Sequence, residues 1–549
     1  MPLVADGFLY PTNNCLTDLE PWQILLYAIG FTLMTTAAYA WLFDSISTPW
    51  ARMKAFTFAS MRYVPYLWSK IEAKLAKTID EVKQHIAPYV PGQKYVTKLP
   101  NDGLAPDAVL DEISKMEKLA ETDWKGGRVS GTVYHGGDEL THLITRVFER
   151  CAWSNPLHPD VFPHVRKMEA EIVAMCVDLY HGGSNGCGAV TSGGTESILL
   201  ACLSYRQSGY ARGIKYPEIV APVSVHAAFE KAAAYFRMKL VHVPVVETTR
   251  KCNVAAMAKA INSNTVLLVA SAPHFPHGVI DPVEEIAALA RRRGIGCHVD
   301  CCLGGFLLPF MDEAGYSLAP FDFRVSGVTS ISADTHKYGF APKGTSVIMY
   351  RSQEQLHEQF FVSPDWQGGI YATPTLAGSR AGAVVACCWA TMRYMGRKGY
   401  VDATRRIVGA AKAIERALES VDEIFLYGKV EVSVIALGSK VFDIYRLGSM
   451  LSARGWNLNS LQFPPSIHLC CTHLHTADGV VERFVDDVKE CVAEIIKFPK
   501  QRTVGMAAIY GLSQSIPDRS LVTEIAYGFL DGCLLARPKR RGLTRMVLT

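Results

Sequence analysis

Val328-Thr329-Ser330-Ile331-Ser332-Ala333-Asp334-Thr335-His336-Lys337-Tyr338-Gly339 reads as an apolar strand that runs out into the tetrapeptide Asp334 to Lys337 and then into a glycine-bearing turn. A lysine held at such a turn can leave its usual solvated state and join its amine to an aldehyde cofactor. Upstream, Gly296-Cys297-His298-Val299-Asp300 sets a carboxylate at the end of a second short apolar strand. A buried Asp there can keep the ring nitrogen of pyridoxal 5'-phosphate (PLP) protonated. Taken singly, Lys337 reads as a surface lysine and Asp300 as a helix cap. Their combination with the glycine turn described next favours a cofactor site.

Working outward, short apolar strands alternate with helical patterns. Strands are expected at 218–222, 266–271, 295–300, 328–333 and 346–351, and helices at 165–180, 196–205, 227–236 and 283–293. Such alternation implies a mostly parallel sheet covered by helices, with ligands gathered at the carboxyl ends of strands, where Asp300 and Asp334 fall. Residues 391–549 carry their own helices (401–418, 480–496) and strands (430–437, 466–471), the pattern of a smaller α+β domain. Thr191-Ser192-Gly193-Gly194-Thr195-Glu196-Ser197 offers a glycine turn opening onto a helix, whose first amides and positive dipole end can receive a phosphate. It is neither a Walker loop nor a Gly-x-Gly-x-x-Gly fingerprint, which disfavours nucleotide binding. His226 can stack on a pyridine ring and His336 can reach a phosphate beside Lys337, although a lone histidine is more often a packed, satisfied side chain.

The 549 residues are 49% hydrophobic, enough for a full core and more than one domain. Fifteen cysteines are scattered, form no Cys-x-x-Cys pair and often sit in apolar runs, as the reduced core residues of a cytosolic body do. A formal net charge of +4 is too small to argue for nucleic acid, and no metal site is expected. Residues 21–43 carry no charge, and as a helix would reach roughly 34 Å across a bilayer core of about 30 Å. The preceding residues hold acidic side chains and no Lys or Arg, so the segment reads as a retained transmembrane anchor rather than a signal peptide. Basic residues begin beyond it (Arg52, Lys54, Arg62), which puts the N-terminus in the lumen and the body in the cytosol. An amphipathic helix follows (Leu67, Ile71, Leu75, Ile79, Val82, Ile86), and then a linker to about Lys125 with one short helix. The expected division is 1–60 (lumenal N-terminus and anchor), 61–130 (helical segment and linker), 131–390 (large PLP-binding domain) and 391–549 (small C-terminal domain).

Seven motifs in order carry a resemblance: Gly127-Arg128-Val129-Ser130-Gly131-Thr132-Val133-Tyr134, Asn155-Pro156-Leu157-His158-Pro159-Asp160, Ser192 to Ser197, His226-Ala227-Ala228-Phe229, Ser332 to Gly339 with Ala341-Pro342-Lys343-Gly344, Asp365-Trp366-Gln367-Gly368-Gly369, and Gly378-Ser379-Arg380. With them the chain resembles the sphingosine-1-phosphate lyase family, within the group II, decarboxylase-like PLP enzymes, nearly end to end. The resemblance implies an α/β PLP-dependent transferase of fold type I, with a mostly parallel central sheet, a smaller C-terminal α+β domain and an N-terminal transmembrane helix. It implies that Lys337 carries the cofactor, that Asp300 pairs with its ring nitrogen and that His226 stacks on its ring. Gly194, Thr195 and His336 would surround its phosphate, with Ser379 reaching it from the neighbouring subunit of a homodimer with shared active sites. His158 and Lys343 would hold the substrate phosphate, and Tyr134 would be the catalytic tyrosine of the first motif. One departure is Cys301, where the family usually has Ala after the ring-binding Asp.

The implied reaction is cleavage of the C2–C3 bond of sphingosine 1-phosphate and related long-chain base phosphates to a fatty aldehyde and phosphoethanolamine. Its expected setting is the endoplasmic reticulum membrane, with a single span, a lumenal N-terminus and a cytosolic catalytic body. A PLP-dependent amino-acid decarboxylase would share Lys337, Asp300 and His226 and release carbon dioxide instead. A membrane scaffold that retains only the fold would show no dependence on Lys337.

Overall fold

A computed structural model describes Glu20, Gly30, Phe31, Met34 and residues 64–87, 95–120, 122–501 and 519–536. They fall into two compact units, residues 100–501 forming one and the flanking described residues the other.

In the larger unit, β1 (Cys187–Thr191), β2 (Glu218–Pro222), β3 (Lys239–Val243), β4 (Thr265–Ser271), β5 (Gly296–Asp300), β6 (Ser330–Ala333) and β7 (Ser346–Tyr350) build one sheet in the order β1-β7-β6-β5-β4-β2-β3. β3, β2, β4, β5 and β6 are parallel neighbours, and β7 runs antiparallel to both β6 and β1. Every residue of β2, β4, β6 and β7 is buried, because helices cover both faces, so none of these strands alternates buried with exposed positions. β1 and β3 escape the sequence reading. They are the two edges: β1 contains a glycine, and β3 is partly exposed and carries Lys239 and His242.

The covering helices include α1 (Pro163–Leu179), α2 (Gly194–Ala211), α3 (Ala228–Phe236) and α4 (Val283–Arg293). α4 starts with Glu284 and Glu285 and ends with Arg291 to Arg293 before Gly294 at φ +64°, so its charges oppose its dipole and its stop needs a left-handed residue. An exposed hairpin, β8 (Phe361–Ser363) and β9 (Tyr371–Thr373), then leads into α5 (Gly382–Leu418). α5 is broken only at Gly396 and runs straight across the expected domain boundary at 390/391. Its first three turns, Gly382 to Met392, have no exposed residue, so no amphipathic stripe announces the start. The C-terminal lobe of this unit is a four-stranded antiparallel sheet, β10 (Phe425–Leu426), β11 (Val434–Gly438), β12 (Asn459–Leu461) and β13 (Ser466–Cys470), covered by α6 (Ile444–Ala453) and α7 (Val480–Ile496). One apolar core runs through both lobes, from Val165 and Val299 to Val434 and Phe484.

In the smaller unit the helices Pro65–Ile86 and Arg519–Leu534 pack together, so residues 519–536 leave the small domain to which the sequence reading assigned them. Gly528 permits the approach: a Cβ there would stand 2.6 Å from Ile79 Cγ2. Lys83 Nζ and Asp531 Oδ2 pair at 2.9 Å beside it. The expected span at 21–43 lies outside the described residues except for Gly30, Phe31 and Met34, which are helical. Among the described residues no helix is long and apolar enough to cross a membrane.

Candidate active site

Asp334 to Phe340 leave the end of β6 as a tight turn. Phe340 N donates to Lys337 O (2.9 Å) and Ala341 N to Thr335 O (3.1 Å). A Cβ on Gly339 would fall 2.3 Å from Thr335 O, so only glycine lets the chain turn back here. The turn holds Lys337 Nζ 2.7 Å from Asp334 Oδ2, with His336 Nε2 at 3.6 Å from the same oxygen. Burial opposes charge on Asp334, but Lys337 and His336 outweigh it and its carboxyl lies below its ordinary value. Burial likewise opposes charge on Lys337, and Asp334 outweighs it, so the ammonium is held well above its ordinary pKa. His336 is pushed down, first by burial and then by the cations Lys343 and Lys337, against Asp334.

Facing this turn is the start of α2. A Cβ on Gly194 would lie 2.7 Å from Asp334 Oδ1 and 2.8 Å from Cys302 Sγ, so glycine is needed for the helix end to come this close. Glu196 fastens the loop, accepting from Ser192 N at 2.6 Å and from Leu376 N at 3.0 Å. A cavity of about 350 Å³ opens between the helix end and the turn, lined by Gly194, Thr195, His226, Cys302, His336 and Lys337 among others. His226 stands exposed beyond β2, and its Nδ1 accepts from Ala228 N at 3.1 Å, which leaves the proton on Nε2.

Asp300 closes β5 just behind Cys302. Its Oδ1 accepts from Cys302 N at 2.9 Å, while Oδ2 has no hydrogen bond among the described residues. Cys301 points to the opposite side, into the main core, so the bulk that distinguishes it from Ala is not in the cavity wall.

Tyr134 comes from a segment laid along the C-terminal sheet, with Ser130 N bonded to Asn457 O and Gly131 N to Cys470 O, both at 2.9 Å. It packs edge-on to Tyr338 at 4.9 Å between ring centroids, and the Tyr338 hydroxyl is tied to Ser433 Oγ (2.7 Å) and Cys471 O (2.6 Å). Burial, then the neighbouring Cys470, raises the Tyr134 phenol far above its ordinary pKa. Lys343 Nζ lies 4.7 Å from the Tyr134 ring centroid and donates to His336 O at 3.4 Å. Burial and Lys337 lower its pKa.

His158 and Ser379 belong to neither group. Asn155 joins their two motifs, its Nδ2 donating to Ser379 Oγ (3.1 Å) and its Oδ1 accepting from Leu157 N (3.1 Å) and Arg380 N (3.2 Å). Both side chains are exposed on this chain and neither lines the Lys337 cavity. His158 and Lys343, expected to share one phosphate, therefore make no contact within a single chain among the described residues.

The residues present fit PLP. The cavity brings together an amine, unbonded amides at the start of α2, and the buried His336 Nδ1, which has no partner among the described residues. Asp300 adjoins the cavity through Cys302, a lining residue whose N–H its Oδ1 accepts. Sequence reasoning named Asp334 only for its position at a strand end and passed over Glu196. The spacing of Asp334, three residues before Lys337, permits the pairing without fixing it.

The pyridoxal-dependent decarboxylase conserved domain matches residues 100–440. Over 531 residues, 96% of this chain and 93% of the relative, the chain is 49% identical to sphingosine-1-phosphate lyase 1 of Mus musculus. It is 47% identical to the sphingosine-1-phosphate lyase of Drosophila melanogaster across 94% of this chain and 95% of that protein. Among solved structures, the sphingosine-1-phosphate lyase of Burkholderia pseudomallei K96243 matches with a TM-score of 0.72 at 39% identity, covering 74% of this chain and 94% of that one. Similarity at this level over almost the full length joins the geometry around Lys337 to a family: the chain belongs to the sphingosine-1-phosphate lyases, within the pyridoxal-dependent decarboxylase-like proteins.

Proposed function

We propose that this chain cleaves the C2–C3 bond of sphingosine 1-phosphate and related long-chain base phosphates, with PLP as cofactor, to a fatty aldehyde and phosphoethanolamine. The observation that carries the reading is the Lys337 amine held 2.7 Å from Asp334 at the lip of the cavity, in a chain 49% identical to a sphingosine-1-phosphate lyase. Bound PLP supplies an electron-poor ring that takes up the electron pair left on substrate C2 when the bond to C3 breaks.

The protein's own groups do the rest. Asp300 would hold the ring nitrogen, His226 would cover the ring, and the first amides of α2 with Thr195 and His336 would receive the cofactor phosphate. Leaving Asp334, the Lys337 amine is free to carry a proton from the substrate's 3-hydroxyl or back to C2. Tyr134 keeps its phenolic proton at neutral pH because burial disfavours the phenolate, so its part is that of an acid returning a proton to C2 once the bond has broken, while the base at the 3-hydroxyl is the neutral Lys337 amine. Lys343 draws the substrate phosphate to the open side of Tyr134, and that remote contact fixes which bond faces the ring.

His158 and Ser379, linked through Asn155 away from this chain's own Lys337 cavity, serve the cavity of a second copy in a homodimer. Residues 21–43 anchor the protein in the endoplasmic reticulum membrane, with its N-terminus lumenal and the catalytic body cytosolic, where a substrate with a long hydrocarbon tail resides. Purified protein given PLP and sphingosine 1-phosphate should release long-chain aldehyde and phosphoethanolamine in equal amounts. Carbon dioxide from an amino acid, without aldehyde, would establish the decarboxylase reading instead. Deleting residues 21–43 should move the protein from the carbonate-resistant membrane pellet to the supernatant, and unchanged sedimentation would count against the anchor.

A further inference from the structure

β5 and β6 are parallel neighbours in register, His298 opposite Ser330 and Asp300 opposite Ser332. Residues two apart on a strand share a face, so these four side chains stand together on one side of the sheet. His298, Ser330 and Ser332 are fully buried and Asp300 nearly so. They are linked in series. His298 Nδ1 lies 2.8 Å from Ser330 Oγ, its Nε2 lies 3.1 Å from Ser332 Oγ, and Ser332 Oγ lies 3.4 Å from Asp300 Oδ1. Beyond Ser330 the chain continues to the Tyr205 hydroxyl of α2 at 2.8 Å, which meets Thr329 Oγ1 at 2.6 Å. Cys302 Sγ adds a branch, 3.2 Å from Ser332 Oγ.

Counting protons gives the series a direction. An ionised carboxylate can only accept, so Ser332 gives its one hydroxyl proton to Asp300 and must itself accept from His298 Nε2–H. Burial holds His298 down to about 4, so at neutral pH the ring has a single proton and its bare Nδ1 accepts from Ser330. Ser330 in turn accepts from Tyr205. Every donor therefore points at Asp300, an arrangement in which each bond polarises the next and the charge is stabilised cooperatively. His298, Cys301 and Cys302 all feel that charge.

We infer that His298 and Ser332 are positioning residues that, through this one-way relay, keep Asp300 ionised with Oδ2 turned to the cofactor's ring nitrogen, and so keep that nitrogen protonated. The inference rests on PLP occupying the cavity beside Asp300 and not on which bond of the substrate breaks.

The test uses full-length protein loaded with PLP labelled with nitrogen-15 in the ring, whose chemical shift reports protonation directly. Followed across pH, Ser332→Ala and His298→Leu should lower the midpoint of ring-nitrogen protonation by about one unit. Tyr205→Phe, two links farther out, should lower it less, and His298→Gln, which retains a donor and an acceptor, should recover part of the loss. Wild-type midpoints in Ser332→Ala and His298→Leu would overturn the proposal. Should His298→Leu fail to fold, Ser332→Ala, which removes one oxygen, decides alone. A wild-type protein that makes no aldehyde yet shows these shifts would sink the lyase reading and leave the relay standing. One that takes up no PLP would overturn both.

Discussion

At the scale of single residues the site is a set of opposed, largely buried charges. Lys337 is stabilised as an ammonium by Asp334, which restrains its nucleophilicity until the pair separates. Lys337→Ala should abolish turnover and the visible absorption of bound PLP, because Lys343 is engaged with the His336 carbonyl and the Tyr134 ring. Spectra and aldehyde release check this together, and a variant that retained both would refute the assignment. Lys343→Ala should keep the cofactor colour and raise KM for sphingosine 1-phosphate by about tenfold, the scale of one lost charge-assisted contact. Loss of colour in parallel with affinity would move Lys343 into the cofactor site. Lys337, Asp300, His226 and the glycine turn were legible from local spacing, since each lies at the end of a recognisable apolar strand or the start of a helix. The Asp334–Lys337 pairing was not, because whether an i,i+3 pair meets depends on how the turn closes at Gly339.

At the scale of elements, the approach of α2 to the end of β6 makes the cavity. Gly194→Ala forces a methyl against the Asp334 carboxylate and Cys302 Sγ, so α2 must back away. The expected result is at least tenfold weaker PLP binding with little change in melting temperature of the apo-protein, measured by cofactor titration and thermal denaturation. Unchanged affinity would mean that the α2 amides do not hold the phosphate. The central strands were readable because burial on both faces leaves short, largely apolar runs with few charged residues. The edge strands β1 and β3 lacked that signal, and the first three turns of α5, Gly382 to Met392, lacked a polar face to set its period.

At the scale of the whole molecule, many imidazoles are folded away from water. Burial holds His274, His298, His468 and His475 down to about 4 and His277 to about 3. Their folded values lie below the unfolded value near 6.5, so the stability they represent is full above about pH 6.5 and is lost as pH falls toward 4, by about 3 kcal/mol for each. Asp281, raised to about 6 by burial, acts in the opposite sense over part of that range, one group against five. The melting temperature should therefore drop steeply between pH 6.5 and 4, and a flat profile there would contradict the burial of these rings. If His158 and Ser379 serve a second copy, co-expressing Lys337→Ala with Ser379→Asp chains should restore about a quarter of wild-type activity, since half of random dimers carry one intact site of two. No recovery in isolated heterodimers would confine each site to one chain.

By itself, the sequence determined the class of sheet, the strand ends and helix start that bring Lys337, His226 and Gly194 to one cavity, and the family, because strand periodicity, glycine turns and residue spacing act over short stretches. The tertiary structure alone decided that Arg519–Leu534 packs with the helix Pro65–Ile86, that the two lobes share one core, and that serines from β6 connect His298 to Asp300. Those outcomes depend on pairings between residues distant in the chain, and no local pattern records which surfaces will meet.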